Sequence, residues 1–178
     1  SMNIFTIGYE GLSTEEFFEL LKENSIDLLI DIRELPLSRK KGFSKNALIN
    51  SSRLNGIDYL HFRDLGCPKE IRHQYRVDKN WLNYSIKFFD YLCTQKKALL
   101  SVSKLVDDKT ICLMCFEKDF LFCHRSYVSF VLKEYYVENA SIVDLRSDCS
   151  TKMADKCSED IRAQLLAIDV DVRELYPL

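Results

Sequence analysis

Residues 3–7 form a short apolar run that closes at Gly8, and the polar stretch after it ends in Ser13-Thr14-Glu15-Glu16. That S-x-x-E spacing lets a serine hydroxyl and a glutamate carboxylate satisfy the free N–H groups of a helix start. Phe17, Phe18, Leu20 and Leu21 give the helix an apolar face, so a strand followed by a helix is predicted. Residues 27–32 carry a second apolar run with no alternation, the pattern of a strand covered on both faces in a parallel sheet. Ser44 is placed to cap a helix running toward Asn55, Gly56 to end it, and residues 57–62 to add a third strand.

Residues 63–80 mix charges of both signs around Gly66 and Pro68, which predicts a long connection. Apolar positions at near-helical spacing predict helices over residues 81–95 and 99–106. Thr110 to Phe116 is the strongest strand, followed by a helix over 126–136, a strand over 141–145 and a last helix near 161–168. Strands alternating with helices give an α/β fold: one three-layer domain with a mostly parallel central sheet flanked by helices. Residues 3–145 are expected to form that domain and residues 146–178 a C-terminal extension packed on it.

Composition narrows the class. At roughly 100–200 residues per domain, 178 residues make one domain, and 47% hydrophobic with 29% charged residues excludes disordered and fibrous chains. No apolar stretch reaches the roughly 18 residues of a membrane span, and no basic-then-apolar signal segment opens the chain. A cytoplasmic protein that does not enter the membrane is expected. Seven cysteines at irregular spacings argue against a disulfide scaffold and for mostly reduced thiols. Neither a phosphate-binding G-x-x-x-x-G-K-[ST] loop nor a G-x-G-x-x-G turn occurs.

Charge is unevenly distributed. The net charge is −2, but residues 1–32 sum to −6, residues 33–97 to +8 and residues 98–178 to −4. A basic middle that includes Arg39, Lys40, Lys41, Arg53, Arg63, Lys69, Arg72 and Arg76 predicts either a local anionic partner or a solvated basic face.

In open α/β sheets ligands bind beyond the carboxyl ends of the strands. There the chain places Gly8-Tyr9, then Asp31-Ile32-Arg33 running on to Ser38, then Cys115-Phe116-Glu117, with Cys123-His124-Arg125 opening the next helix. A helix start with an arginine suits a phosphate. The catalytic candidates are therefore Asp31, Glu117, His124 and Cys123, as general bases, proton donor and thiolate. The ligand-binding candidates are Gly8, Tyr9, Arg33, Ser38 and Arg125. Structural roles compete: Arg125 paired to Glu117 or Asp31, His124 as a hydrogen-bonded scaffold group, and Asp31 with Arg33 as a salt bridge. Cys112-x-x-Cys115 with Cys123-His124 superficially supplies four zinc ligands, yet residues three apart on a strand point to opposite faces. No metal and no cofactor is expected.

The ordered set Thr6-Ile7-Gly8-Tyr9, Asp31-x-Arg33-x-x-Pro36-x-Ser38, Ile57-Asp58-Tyr59, Leu65-Gly66, Cys115-x-Glu117 and Cys123-His124-Arg125 resembles the domain-of-unknown-function family numbered 488. The resemblance covers about residues 3–145 and implies a single α/β domain with a site built from Asp31, Arg33, Glu117, Cys123, His124 and Arg125. Cys67-Pro68 stands where the family commonly has a second glycine, and Asp144-Leu145 where it often has a His-containing pair. The leading expectation is a protein that binds a phosphate-bearing ligand, a nucleotide or nucleic acid, in a strand-end pocket; processing that ligand is the stronger form of it. Burial of Arg33 and Arg125 in ion pairs with no pocket at the strand ends would remove this reading. The alternatives are a non-catalytic nucleic-acid-binding module and a thiol or zinc protein using Cys115, Cys123 and His124.

Overall fold

A computed structural model of the protein describes residues 2–148 and 153–167. Five strands, β1 (Met2–Gly8), β2 (Leu28–Asp31), β3 (Asp58–His61), β4 (Ile111–Cys115) and β5 (Ala140–Leu145), form one sheet in the order β3-β2-β4-β1-β5. Every neighbouring pair is parallel, with Phe5 opposite Cys112, Leu29 opposite Cys112 and Ile4 opposite Ile142. The helices are α1 (Thr14–Glu23), α2 (Lys45–Leu54), α3 (Lys69–Asp78), α4 (Trp81–Cys93), α5 (Lys96–Asp108), α6 (His124–Val131) and α7 (Met153–Ala167). No helix among the described residues is long and apolar enough to cross a membrane.

Successive strand residues feed two cores, as the absence of alternation requires. Leu28, Ile30, Ile111 and Leu113 pack with Phe88 and Phe89 of α4, Leu99 of α5 and Val128 of α6. Leu29, Cys112 and Met114 point to the other face, among Phe17 and Leu21 of α1 and Leu48 of α2. Ile161 and Leu165 of α7 join the first core, and Gln164 accepts a hydrogen bond from Tyr127. Of the expected extension over residues 146–178, α7 thus reaches the sheet domain through these residues, while residues 149–152 and 168–178 lie outside the described residues.

Local chemistry explains most helix boundaries. Ser13 and Glu16 form the reciprocal capping box at α1. Ser44 precedes α2, but its hydroxyl is turned away: it accepts from the Ser38 amide and donates to the Ser38 carbonyl, stapling the loop after β2. Residues 63–80 are not a bare connection. They hold a single 3₁₀ turn (Arg63–Leu65) and the whole of α3, which follows Pro68 and buries none of its residues fully, resting on the core only through the partly buried Ile71 and Tyr75. Lys79 ends α3 in the left-handed region, at φ 54°, and frees Asn80 to cap α4 through the Asn83 amide. The predicted helix over 126–136 begins earlier, at His124, and continues as a π-type turn over Leu132–Tyr136.

The chain leaves β1 toward the α1 face and leaves β4 toward the α6 face. Adjacent strands whose exits diverge open a crevice at their carboxyl ends.

Candidate functional site

A cavity of about 540 Å³ occupies that crevice. Tyr9 enters it from the exit of β1, Arg33 and Ser38 from the exit of β2, and Glu117 from the exit of β4. Its far wall comes from α3 and the start of α4.

Arg33 sets one side. Its Nε and Nη2 donate to the two oxygens of Asp31 at 2.9 and 2.7 Å, and Nη1 donates to the Phe43 carbonyl at 2.7 Å and the Tyr9 hydroxyl at 3.2 Å. Burial opposes the guanidinium charge, but the Asp31 carboxylate outweighs it and holds the pKa of Arg33 above its ordinary value. The Tyr59 hydroxyl donates to the second Asp31 oxygen, and burial beside that carboxylate raises the Tyr59 pKa. Asp31 is fully buried and does not reach the cavity. It positions Arg33, whose guanidinium lies 5.4 Å from the Tyr9 ring centre, and Tyr9 in turn stacks on Phe43 at 4.7 Å.

Arg125 stands behind the wall. Fully buried, it donates through Nη1 to the Glu117 carbonyl and Cys115 Sγ and through Nη2 to the Lys118 carbonyl and Asp144 Oδ1. The Thr6 hydroxyl donates to the same Asp144 oxygen at 2.7 Å. Burial pushes the Asp144 carboxyl up, against the pull of Arg125. Gly8 also stands outside the cavity. A Cβ there would come within 1.8 Å of the Glu117 carbonyl oxygen, so this glycine admits the backbone leaving β4. Both Arg33 and Arg125 are therefore ion-paired, yet the cavity at the strand ends is open.

The exit of β4 and the start of α6 converge on the floor. Ring atom Nε2 of His124 meets the Ile32 carbonyl at 2.7 Å; because a carbonyl only accepts, Nε2 carries the proton. Burial pushes the imidazole pKa down to about 4, which keeps it neutral. Cys115 and Cys123 are joined as a disulfide, with Cα atoms 7.6 Å apart, and each is almost wholly buried. This corrects the expectation of an open Cys123 thiolate: Cys123 is buried and stands outside the cavity, whereas Cys115 borders it. Cys112 faces the opposite core, as the three-residue offset on the strand requires. Glu117 is accessible from the cavity, and the surrounding protein raises its carboxyl pKa by desolvation.

Arg72, Tyr75 and Arg76 of α3 and Lys79 at its C-terminal cap line the far wall. Spacings of three and four residues put them on one helix face, the signal that marks this wall in the sequence once residues 69–78 are known to be helical. Arg72 is held by the Glu34 carboxylate at 2.8 Å and the Cys67 carbonyl. Among the described residues, Arg39 and Arg76 are exposed and have no ion-pair partner. Lys79 lies 5.8 Å from the Tyr75 ring centre. Trp81 stacks on Tyr84 at 4.4 Å and touches Tyr75 and Phe122, adding an aromatic surface to the same wall. Of the basic middle, Lys40, Lys41, Arg53, Arg63 and Lys69 do not line the cavity.

No curated protein and no solved structure matches the chain. The profile described as "Domain of unknown function DUF488" matches residues 13–132. That span takes in Asp31, Arg33, Glu117 and Cys123-His124-Arg125, while Gly8 and Tyr9 precede it and Asp144 follows it. With the profile running through about two thirds of its residues, the chain belongs to the DUF488 family of domains of unknown function.

Proposed function

We propose that the strand-end cavity binds a phosphate-bearing ligand with an aromatic base, a nucleotide or a segment of single-stranded nucleic acid. One observation carries this reading: the cations Arg39, Arg76 and Lys79 border the same cavity as the rings of Tyr75, Trp81 and Phe122. Cations neutralise phosphate, and aromatic faces stack bases of any sequence. About 540 Å³ is within the usual range for a small-molecule site. Of the two carboxylates that line the cavity, Glu34 is held by Arg72, so Glu117 is the group left to exchange a proton with a bound ligand.

Trp81 is the chain's single tryptophan and reports directly on the cavity. The test titrates its fluorescence with mononucleotides and short oligonucleotides at several salt concentrations, for wild type and Arg39→Ala/Arg76→Ala. Quenching with salt-sensitive affinity is expected. For single strands, the slope of log affinity against log salt should fall by about 0.7 for each phosphate contact removed. Binding that the double substitution leaves untouched, or no binding at low salt, refutes the reading. Glu117→Gln then separates the processing form from a plain binding module: in the module it changes neither affinity nor the fate of the ligand.

A further inference from the structure

We propose that, in the reduced protein, Cys115 Sγ, Cys123 Sγ and His124 Nδ1 bind one zinc ion, with the fourth coordination position turned toward the cavity. The three ligand atoms lie within 4.8 Å of one another in a buried cluster between the exit of β4 and the start of α6. Two thiolates and an imidazole nitrogen are a donor set that zinc prefers, and three protein ligands with one open position is the arrangement of zinc sites that act on substrates.

Two features of the cluster's surroundings point to a metal rather than to packed sulfur. The first is the histidine tautomer. His124 Nε2–H is committed to the Ile32 carbonyl, so the lone pair is on Nδ1, and Nδ1 is the atom that faces Cys123 Sγ, at 3.9 Å. A metal-bound imidazole characteristically has its other nitrogen fixed in this way by a carbonyl or carboxylate. The second is Arg125, whose Nη1 donates to Cys115 Sγ at 3.2 Å. A guanidinium held against a sulfur stabilises its thiolate form, the form that ligates. Cys115 and His124 both line the cavity, as does Glu117, so an open position there would face a bound ligand.

Disulfide and metal site exclude each other, because zinc needs both sulfurs as thiolates. A dithiol reductant connects the two states. It gives two electrons and two protons to the Cys115–Cys123 bond, yielding two thiols, and itself becomes a disulfide. Zinc then displaces the two thiol protons to solvent as two Zn–S bonds and one Zn–N bond form. The Cα separation of 7.6 Å is wider than most disulfides span, and it suits two sulfurs that each reach a shared ion at about 2.3 Å.

The test uses the full chain, reduced, stripped of metal and titrated with cobalt(II). Wild type should take one equivalent, with thiolate-to-cobalt charge-transfer absorption and the intense visible bands of a tetrahedral site; one equivalent of zinc should bleach both. Cys123→Ser and His124→Gln should each weaken binding at least tenfold, whereas Cys112→Ser should not. Oxidation with diamide before titration should abolish uptake, and a dithiol should restore it. Should either site variant fail to fold, alkylation of wild type followed by peptide mass mapping gives the answer: zinc should protect Cys115 and Cys123 specifically. Absence of charge transfer in verified reduced protein, a spectrum unchanged by Cys123→Ser, or protection of other cysteines instead overturns the proposal.

Discussion

Arg125→Met separates two roles that a helix-start arginine can play. If Arg125 is scaffold, the substitution strips Asp144 of its counter-charge, leaving a buried carboxylate with only the Thr6 hydroxyl. Breaking a buried pair by removing one partner costs about 3–5 kcal/mol. The carbonyls of Glu117 and Lys118 lose a donor as well, which moves the expectation to the top of that range. With a urea dependence of about 2 kcal/mol per M for a domain of this size, the unfolding midpoint should fall by about 2.5 M. Asp144→Asn should cost less, since an amide oxygen still accepts from Arg125 and Thr6. The two losses should couple in a double-mutant cycle by about 0.5–3 kcal/mol. Urea unfolding followed by Trp81 fluorescence and far-ultraviolet circular dichroism measures all three variants. A midpoint shift below about 0.5 M for Arg125→Met, together with loss of nucleotide binding, would refute the scaffold assignment and put Arg125 on the ligand.

Gly8→Ala should destabilise by about 1–3 kcal/mol, because its Cβ would meet backbone that has no rotamer to yield; a neutral result in thermal unfolding would contradict the close approach of the β1 and β4 exits. Tyr59→Phe removes a donor from the buried Asp31 carboxylate and should cost about 1.5–3 kcal/mol by urea unfolding. Ser13→Ala should cost about 1 kcal/mol by breaking the capping box, without altering nucleotide titrations, since Ser13 does not line the cavity.

The middle of the sheet was legible because β2 and β4 are buried on both faces, so residues 27–32 and 110–116 announce themselves without alternation. The place of the cavity was legible too, since carboxyl strand ends are named by the residues that follow each apolar run. What each side chain does there was harder to read. The direction in which Arg125 points is decided by Asp144 and by the backbone at residues 117–118, partners that periodicity does not identify. Asp31 is claimed by Tyr59, which lies 28 positions away on the neighbouring strand. Helix α3 was invisible for a different reason: it carries Arg72 and Arg76 into the cavity wall and sinks no side chain fully into the core. With only Ile71 and Tyr75 turned to the core, and those partly buried, it leaves a short hydrophobic trace that mixed charge hides.

The sheet order also bears on how the chain is made. Of the five strands β1 is made before the others, yet among the described residues it pairs with β4 and β5, whereas β2 finds a partner in β3 within a few tens of residues. At roughly 5–20 residues per second, more than a hundred residues must follow β1 before β4 is synthesised, a wait of about 5–20 s. During that interval Ile4, Phe5 and Ile7 have no place in a sheet, and the earliest-made strand is among the last to dock. For a nascent chain, that window is where chaperone binding and aggregation compete.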